Sequence, residues 1–325
     1  MIDIFVYDKN VKTLNKIEVS NIDAYLGHKH YLLWVDFFNA TMGERKILRE
    51  KFGFHPISIS DCFGEKSFPK ISDYKDYVYV RVHGLSVKDN NGSEDQIRTV
   101  SLSAFIGSQT LVTYHKRNLQ SINYIKQRIF ETPSIIGVDT EFLYYHILDE
   151  LVDRYIPVLD KLDKKIELAE DKIFEGEETT VIDDVFALKK MLTHLRKIFY
   201  YQKEVIHKIG RDKFDEICEN CTLYFRNVYD HMNRVSDLTE MYRDLTTGIL
   251  DVSISLASKK LNDVMKVLTI FASVLLPLSV IVGIFGMNFK NLPWLESKWG
   301  FPAVMIFMAS VASSLLYYFR RKKWL

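Results

Sequence analysis

Val267 to Phe289 contains no charged residue, a run of 23 positions, and a second uncharged run of 20 positions extends from Gly300 to Phe319. About 20 helical residues cross a hydrocarbon core, so each run is long enough for a full span. Two adjacent runs of this length are rare inside a soluble core. Pro277 interrupts the first run, which spans tolerate where neighbouring groups re-satisfy the freed carbonyl. The flanking cations set a direction. Lys259, Lys260 and Lys266 precede the first run, and Arg320, Arg321, Lys322 and Lys323 follow the second. The connecting loop carries only Lys290, Lys298 and Glu296. An excess of lysine and arginine marks cytoplasmic segments, so both termini are expected in the cytoplasm and the loop outside. Trp294, Trp299, Tyr317, Tyr318 and Trp324 fall where interfacial aromatics belong. A transmembrane helical hairpin in the cell (inner) membrane, in contact with the lipid bilayer, is the expectation.

Before this hairpin the chain alternates charged and apolar groups as a soluble protein does. Lys plus Arg totals 43 against 42 Asp plus Glu, which excludes a nucleic-acid-sized basic excess. Three cysteines, Cys62, Cys218 and Cys221, argue against a disulfide framework and suit a reducing compartment. "MIDIFVYDKN" lacks a basic region leading into an apolar one, so no secretory signal is expected there. "YLLWVDF" (31–37), "DYVYVRVHGL" (76–85), "RTVSLSAFI" (98–106) and "TLVTYH" (110–115) are rich in β-branched and aromatic residues and predict strands. "KDNNGSED" (88–95) predicts a hairpin loop, with Asn91-Gly92 as its turn signal. Residues 43–53 and 55–63 predict short helices, the second with proline in its first turn. From Thr140 the pattern is helical throughout: about 141–174, about 180–209, and a last helix free of proline until Pro277. At 1.5 Å per residue a helix of roughly 60 residues is about 90 Å long. The chain therefore divides into an α+β cytosolic domain (1–138), a long-helix hairpin (139–212), a stalk (213–266), the first span (267–289), a loop (290–299), the second span (300–319) and a basic tail (320–325).

One face of the last helix is unusual. Asp251, Ile254, Ser258, Asn262, Met265, Leu268, Ala272, Leu276, Ser279 and Gly283 recur at steps of three and four, which keeps them on one side. The stripe is polar first, then large and apolar at Met265 and Leu268, then small or weakly polar. Small residues also suit helix–helix contacts in membranes, so the pattern alone fits a packing seam and a pore lining equally. One hairpin cannot enclose a pore; a pore needs several copies around an axis. A stripe without an intramembrane carboxylate would leave an ion in its water shell, which suits reluctantly dehydrated Mg²⁺. Asparagine and backbone oxygens can bind those waters, and Met265 with Leu268 could close the path by dewetting.

"KVLTIFASVLLPLSVIVGIFGMNF" (266–289), a short loop, a second span and a C-terminal "KKWL" (322–325) resemble the CorA family of divalent-cation channels. "FHPISISDC" (54–62), "LDELVDRY" (148–155) and "YFRNVYDH" (224–231) are similar to its cytosolic segments in the same order. The resemblance implies a homopentamer with a funnel-shaped cytosolic domain and pore-lining first spans. It implies that Gly286, Met287 and Asn288 ring the outer mouth and capture hydrated Mg²⁺. Zinc-handling relatives differ at the Met287 position, so passive inward Mg²⁺ transport is favoured, with Co²⁺ and Ni²⁺ as fellow travellers. A proton-coupled zinc transporter of the same fold is the alternative. Regulatory Mg²⁺ between neighbouring cytosolic domains is also implied, with Asp89, Asp149 and Asn227 at the matching positions. Asparagine stands at 227 where the family pattern has aspartate, which removes one negative charge per subunit. The acidic stretch at 167–184 is implied to lie near a basic ring formed by Lys259, Lys260, Arg320, Arg321, Lys322 and Lys323.

Other chemistry finds no support in the sequence. The chain has no Gly-Lys pair and hence no Walker A loop for ATP. "CENC" (218–221) lacks the second ligand pair of a zinc site. "GHKH" (27–30) places two histidines on a surface turn, and the other seven form no nucleophile–base pattern. No enzyme and no organic cofactor are expected.

Overall fold

The computed structural model describes residues 1–64, 68–90, 93–175, 178–212, 214, 221–287 and 299–324. The chain forms two compact units, Met1–Ile249 and Leu250–Leu325, and one long helix contributes to both.

The first unit opens with β1 (Ile2–Asp8), β2 (Thr13–Ile17), a 3-10 turn (Val19–Ala24) and β3 (Tyr31–Phe38). Next come α1 (Met42–Glu50), α2 (Pro56–Phe63), β4 (Lys70–Asp73), β5 (Val78–Asn90), β6 (Ser93–Ile106) and β7 (Thr110–His115). The strands make one sheet in the order β2-β1-β3-β7-β6-β5-β4, antiparallel except where β3 pairs with β7. That parallel pair needs a long crossover, which α1, α2 and the β4–β6 meander supply. Side chains on one sheet face, among them Ile4, Leu33, Val35, Phe37, Tyr79, Phe105 and Val112, pack with Leu48 of α1 and Cys62 of α2 into a core. Phe54 stacks on Phe105 with centroids 4.1 Å apart. The helices expected at 43–53 and 55–63 form as α1 and α2, with Pro56 in the first turn of α2 as predicted; α1 starts on a reciprocal capping box of Thr41 and Glu44 that the sequence reading did not name.

The second face of the sheet is covered by α3 (Gln120–Glu131), α4 (Ser134–Gly137) and α5 (Thr140–Asp153). Gly84 on β5 permits this approach, since a Cβ there would stand 2.7 Å from Leu119 Cδ2. Helices α6 (Tyr155–Glu175) and α7 (Glu178–Arg211) pack on each other and on β5. The single helix predicted over 141–174 is in fact two, because Arg154 interrupts it between α5 and α6. Helix α8 (Cys221–Phe285) then runs 65 residues. Within the first unit it buries Phe225, Val228, Met232, Val235, Thr239, Tyr242, Thr246 and Ile249. Their spacing alternates three and four, the 3.5-residue period of coiled-coil packing.

Tyr155 ties the sheet to these helices. Its hydroxyl donates to the His83 carbonyl, it accepts from Gln202 Nε2 at 2.6 Å, and Gln202 Oε1 accepts from the His83 amide at 2.9 Å. All three groups are buried. Tyr155→Phe keeps the ring volume but orphans a carbonyl and an amide, which costs about 1–3 kcal/mol. Chemical denaturation of the full-length protein in detergent is expected to show that loss.

In the second unit α8 continues to Phe285, and α9 (Gly300–Arg321) follows. Both are long and apolar enough to cross a membrane, and only 6% of each apolar window is buried, unlike a soluble core helix. Helix α9 ends in a Schellman motif: the Trp324 amide donates to Phe319 O and the Lys323 amide to Arg320 O, both at 3.1 Å. Lys323 takes the left-handed conformation at φ 57°, and Trp324 stacks on Phe319 at 5.6 Å.

Candidate functional site

Two sets of residues carry the candidate chemistry, one in each unit. In the second unit, α8 and α9 each show one covered line. On α8 this is Ile270, Val274, Pro277, Leu278 and Ile281; on α9 it is Val304, Met308, Val311, Ala312, Leu315 and Phe319. Both lines repeat at steps of three and four, so each helix covers one stripe. The predicted stripe is a different face. Asp251, Ile254, Ser258, Asn262, Met265, Leu268, Ala272, Leu276, Ser279 and Gly283 are all exposed. Ile254, Met265, Leu268 and Leu276 are each more than half exposed despite being apolar. A Cβ added to Gly283 meets nothing within 4 Å. The stripe is therefore not a seam between helices of the same chain.

At the C-terminal end of α8, the Gly286 amide donates to Val282 O at 2.8 Å and the Met287 amide to Ile284 O at 3.4 Å. The helix thus frays over Gly286 and Met287, both exposed. Asn288, the third member of the expected ring, lies outside the described residues, as does Cys218. At the other end of the unit Lys259, Lys260, Arg320, Arg321, Lys322 and Lys323 are exposed. Lys266 pairs with Asp263 at 2.8 Å.

In the first unit the expected regulatory residues come from three elements. Asp89 belongs to β5, and its side chain lies outside the described set. Asp149 sits on α5, half-buried, and Asn227 is exposed on α8. Sequence reading missed two neighbours of Asp149. Asp153 lies one turn along α5, and His231 of α8 places Nδ1 at 3.3 Å from Asp153 Oδ1 and 3.9 Å from Asp149 Oδ1. The ligand atoms of Asp149, Asp153 and His231 all lie within 4.8 Å of one another. Asp149 Oδ2 accepts from the Tyr145 hydroxyl at 3.5 Å, while Oδ1 is buried and accepts no hydrogen bond. Burial and the charge of Asp153 push the Asp149 carboxyl above its ordinary value, only partly offset by His231. A signal was available: "LDELVDRY" and "YFRNVYDH" each hold two potential ligands at i, i+4, the spacing that puts both on one helix face.

An α+β unit, long helices and two exposed apolar C-terminal helices, with a stripe on α8 uncharged past Asp251, are the architecture of a membrane protein. The profile of the CorA-like Mg²⁺ transporter protein family matches residues 29–322, and the chain belongs to that family. The cobalt/magnesium transport protein CorA of Thermotoga maritima is 35% identical over 277 residues, covering 85% of this chain and 78% of the relative. The protein of the same description from Methanocaldococcus jannaschii is 28% identical over 311 residues, covering 94% and 95%. The complete structure of the M. jannaschii CorA magnesium transporter superposes with a TM-score of 0.85 at 25% identity, covering 99% of this chain and 98% of that one.

Proposed function

We propose that this chain assembles as a homopentamer that conducts hydrated Mg²⁺ passively into the cell, with Co²⁺ and Ni²⁺ as additional ions. The observation that carries the reading is the exposed stripe, continuous from Asp251 to Gly283, with the Gly286–Asn288 tripeptide beyond it. The stripe is unused within the chain and free of carboxylates past Asp251, and five copies around an axis would bring it together as a wall. Uncharged oxygens hold a metal through its water shell, and Mg²⁺ parts with that shell reluctantly. The ring of Gly286, Met287 and Asn288 is assigned to ion capture, and Met265 with Leu268 to closure. Domains 1–138, 139–212 and 213–266 are read as cytosolic, residues 267–289 and 300–319 as the spans, 290–299 as the outer loop and 320–325 as the cytosolic tail. The bilayer assigned is the cell (inner) membrane.

Driving force needs no second substrate. A divalent ion moving inward gains about 4.6 kcal/mol per 100 mV, twice the value for one charge. Regulation is assigned to cytosolic Mg²⁺ at Asp89, Asp149 and Asn227, where the amide leaves a weaker site than a carboxylate would. The cationic collar at Lys259, Lys260, Arg320, Arg321, Lys322 and Lys323 is read as a screened barrier near the inner mouth. Zinc transport, the alternative left open by the sequence, is not favoured: the two named relatives are described as cobalt and magnesium transporters.

Liposomes loaded with a Mg²⁺ dye test the reading. The native protein is expected to admit Mg²⁺ under an inward gradient, with block by cobalt hexaammine, a mimic of the hydrated ion that cannot shed its ligands. Asn288→Ala is expected to lower the flux at least tenfold, equivalent to about 1.4 kcal/mol on the rate-limiting barrier. No flux from native protein, or undiminished flux without the amide, overturns it.

A further inference from the structure

We propose that Asp149, Asp153 and His231 of a single chain bind a borderline transition cation, Ni²⁺, Co²⁺ or Zn²⁺, in preference to Mg²⁺. The donor set decides the ion class. Two carboxylates alone would accept Mg²⁺, but an imidazole nitrogen suits first-row transition ions, whereas Mg²⁺ keeps to oxygen. The three donors come from two helices, α5 and α8, which the aromatic cluster of Phe142, Tyr145, Tyr224 and Phe225 holds together. Their atoms lie within 4.8 Å of one another. An ion with bonds of about 2.0–2.2 Å holds opposite ligands about 4 Å apart, so small side-chain rotations close the site.

A plain ion pair between His231 and Asp153 accounts for the arrangement less well. Arg128 acts on Asp149 only through its charge, and Asp149 Oδ1 is left buried without a hydrogen-bond donor. A doubly charged cation supplies what that oxygen lacks. Asn227 precedes His231 by one turn on the same exposed face of α8, so the weakened Mg²⁺ position and the imidazole are adjacent. Asp149 is common to the two sets; the imidazole distinguishes them. The proposal stands whether or not the chain conducts ions, and it adds a response to transition metals.

Equilibrium dialysis of the full-length protein in detergent against Ni²⁺, with excess Mg²⁺ present, provides the test. His28 and His30, whose rings lie 5.8 Å apart, are replaced by alanine in every sample so that this pair does not contribute. One Ni²⁺ per chain is expected to remain bound. His231→Ala and Asp153→Asn, both at exposed positions, are expected to weaken Ni²⁺ by more than the ~10- to 100-fold that losing an outer-shell partner costs. His231→Asp, which keeps a third ligand but makes it oxygen, is expected to bind Mg²⁺ and lose the preference for Ni²⁺. Unchanged Ni²⁺ affinity in His231→Ala, or displacement of Ni²⁺ by equimolar Mg²⁺ from the parent, overturns the site. Circular dichroism checks helix content in each variant, and liposome flux, measured separately, tests transport alone.

Discussion

Replacing Asp36 by alanine is expected to destabilise the first unit by about 3–5 kcal/mol, the scale for breaking a buried ion pair from one side. Asp36 lies on β3 with no exposure. Its Oδ1 accepts from Thr113 Oγ1 at 2.6 Å, and its Oδ2 lies 2.6 Å from Lys126 Nζ and 3.2 Å from His115 Nε2. Thr113 in turn accepts from Trp34 Nε1 at 3.1 Å, and Lys126 also reaches Asp3 at 2.7 Å. One carboxylate therefore joins β1, β3, β7 and α3. Burial pushes its pKa up, but the His115 hydrogen bond and the charges of His115 and Lys126 win, holding it at about 2. A depressed carboxyl stabilises above its unfolded value and loses that contribution as pH falls through the folded one. The contribution is about 2 kcal/mol, complete above about pH 4 and lost towards pH 2. Asp36→Ala removes this pH dependence, leaves Lys126 with Asp3 as its remaining anion, and takes the acceptor from Thr113 Oγ1 and the partner from His115 Nε2. Denaturation of the full-length protein, with hydrogen exchange read at β3 and β7, measures it. Unchanged exchange there would show that the network is not holding the sheet.

This network was invisible in the sequence for a physical reason. Asp36 lies in "YLLWVDFF", where strand alternation fixes its face but not its partners, and Lys126 is 90 residues away in a helix the sequence reading did not identify. Four strands, two short helices and the long helical stretch were legible because each has a strong local period. Strand β1 was not, although "IDIFVYD" is rich in apolar residues. Strands β2 and β4, at 5 and 4 residues, are too short for a period to register, and the sheet supplies their order through pairing. The break at Arg154 had a local signal that the sequence reading passed over: Pro157 in "LVDRYIPVL" cannot donate to the Asp153 carbonyl and its ring clashes with it, so α5 ends at Asp153 and the proline falls in the first turn of α6. The two apolar C-terminal helices were the clearest feature of all, because each is a long uncharged run in an otherwise charged chain.

The candidate site divides the same way. The stripe on α8 was readable as a period, yet the pattern alone fitted packing as well as pore lining. The covered lines on α8 and α9 occupy a different face, which removes packing between helices of one chain as the stripe's role. The His231 donor was not legible, since its meaning depends on α5 lying beside α8. Asp149 and Asn227 were singled out through the family resemblance rather than any local signal, and the histidine next to them carries the chemistry that distinguishes ions.

Met265→Ser combined with Leu268→Ser is expected to raise Mg²⁺ influx about tenfold when Mg²⁺ on the cytosolic side is high, a barrier change of about 1.4 kcal/mol. The two side chains are exposed three residues apart, so they project from one face within a single turn. In the proposed assembly five copies would ring the path with thioether and isobutyl groups, which offer no hydrogen bond to a passing hydration shell. Water leaves such a constriction, and an ion that must keep its waters is stopped with it. Serine hydroxyls restore those hydrogen bonds and widen the ring. The neighbouring polar positions, Ser258 and Asn262 on one side and Ser279 on the other, are expected to stay wet, so Ser279→Ala supplies the comparison. Native protein, the double variant and Ser279→Ala are reconstituted with Mg²⁺ dye inside, and influx is compared at low and high cytosolic-side Mg²⁺. A raised rate confined to the double variant and to high Mg²⁺ places closure at Met265 and Leu268. Equal rates in all three would mean that the barrier lies elsewhere along α8, and the assignment of closure to this turn fails.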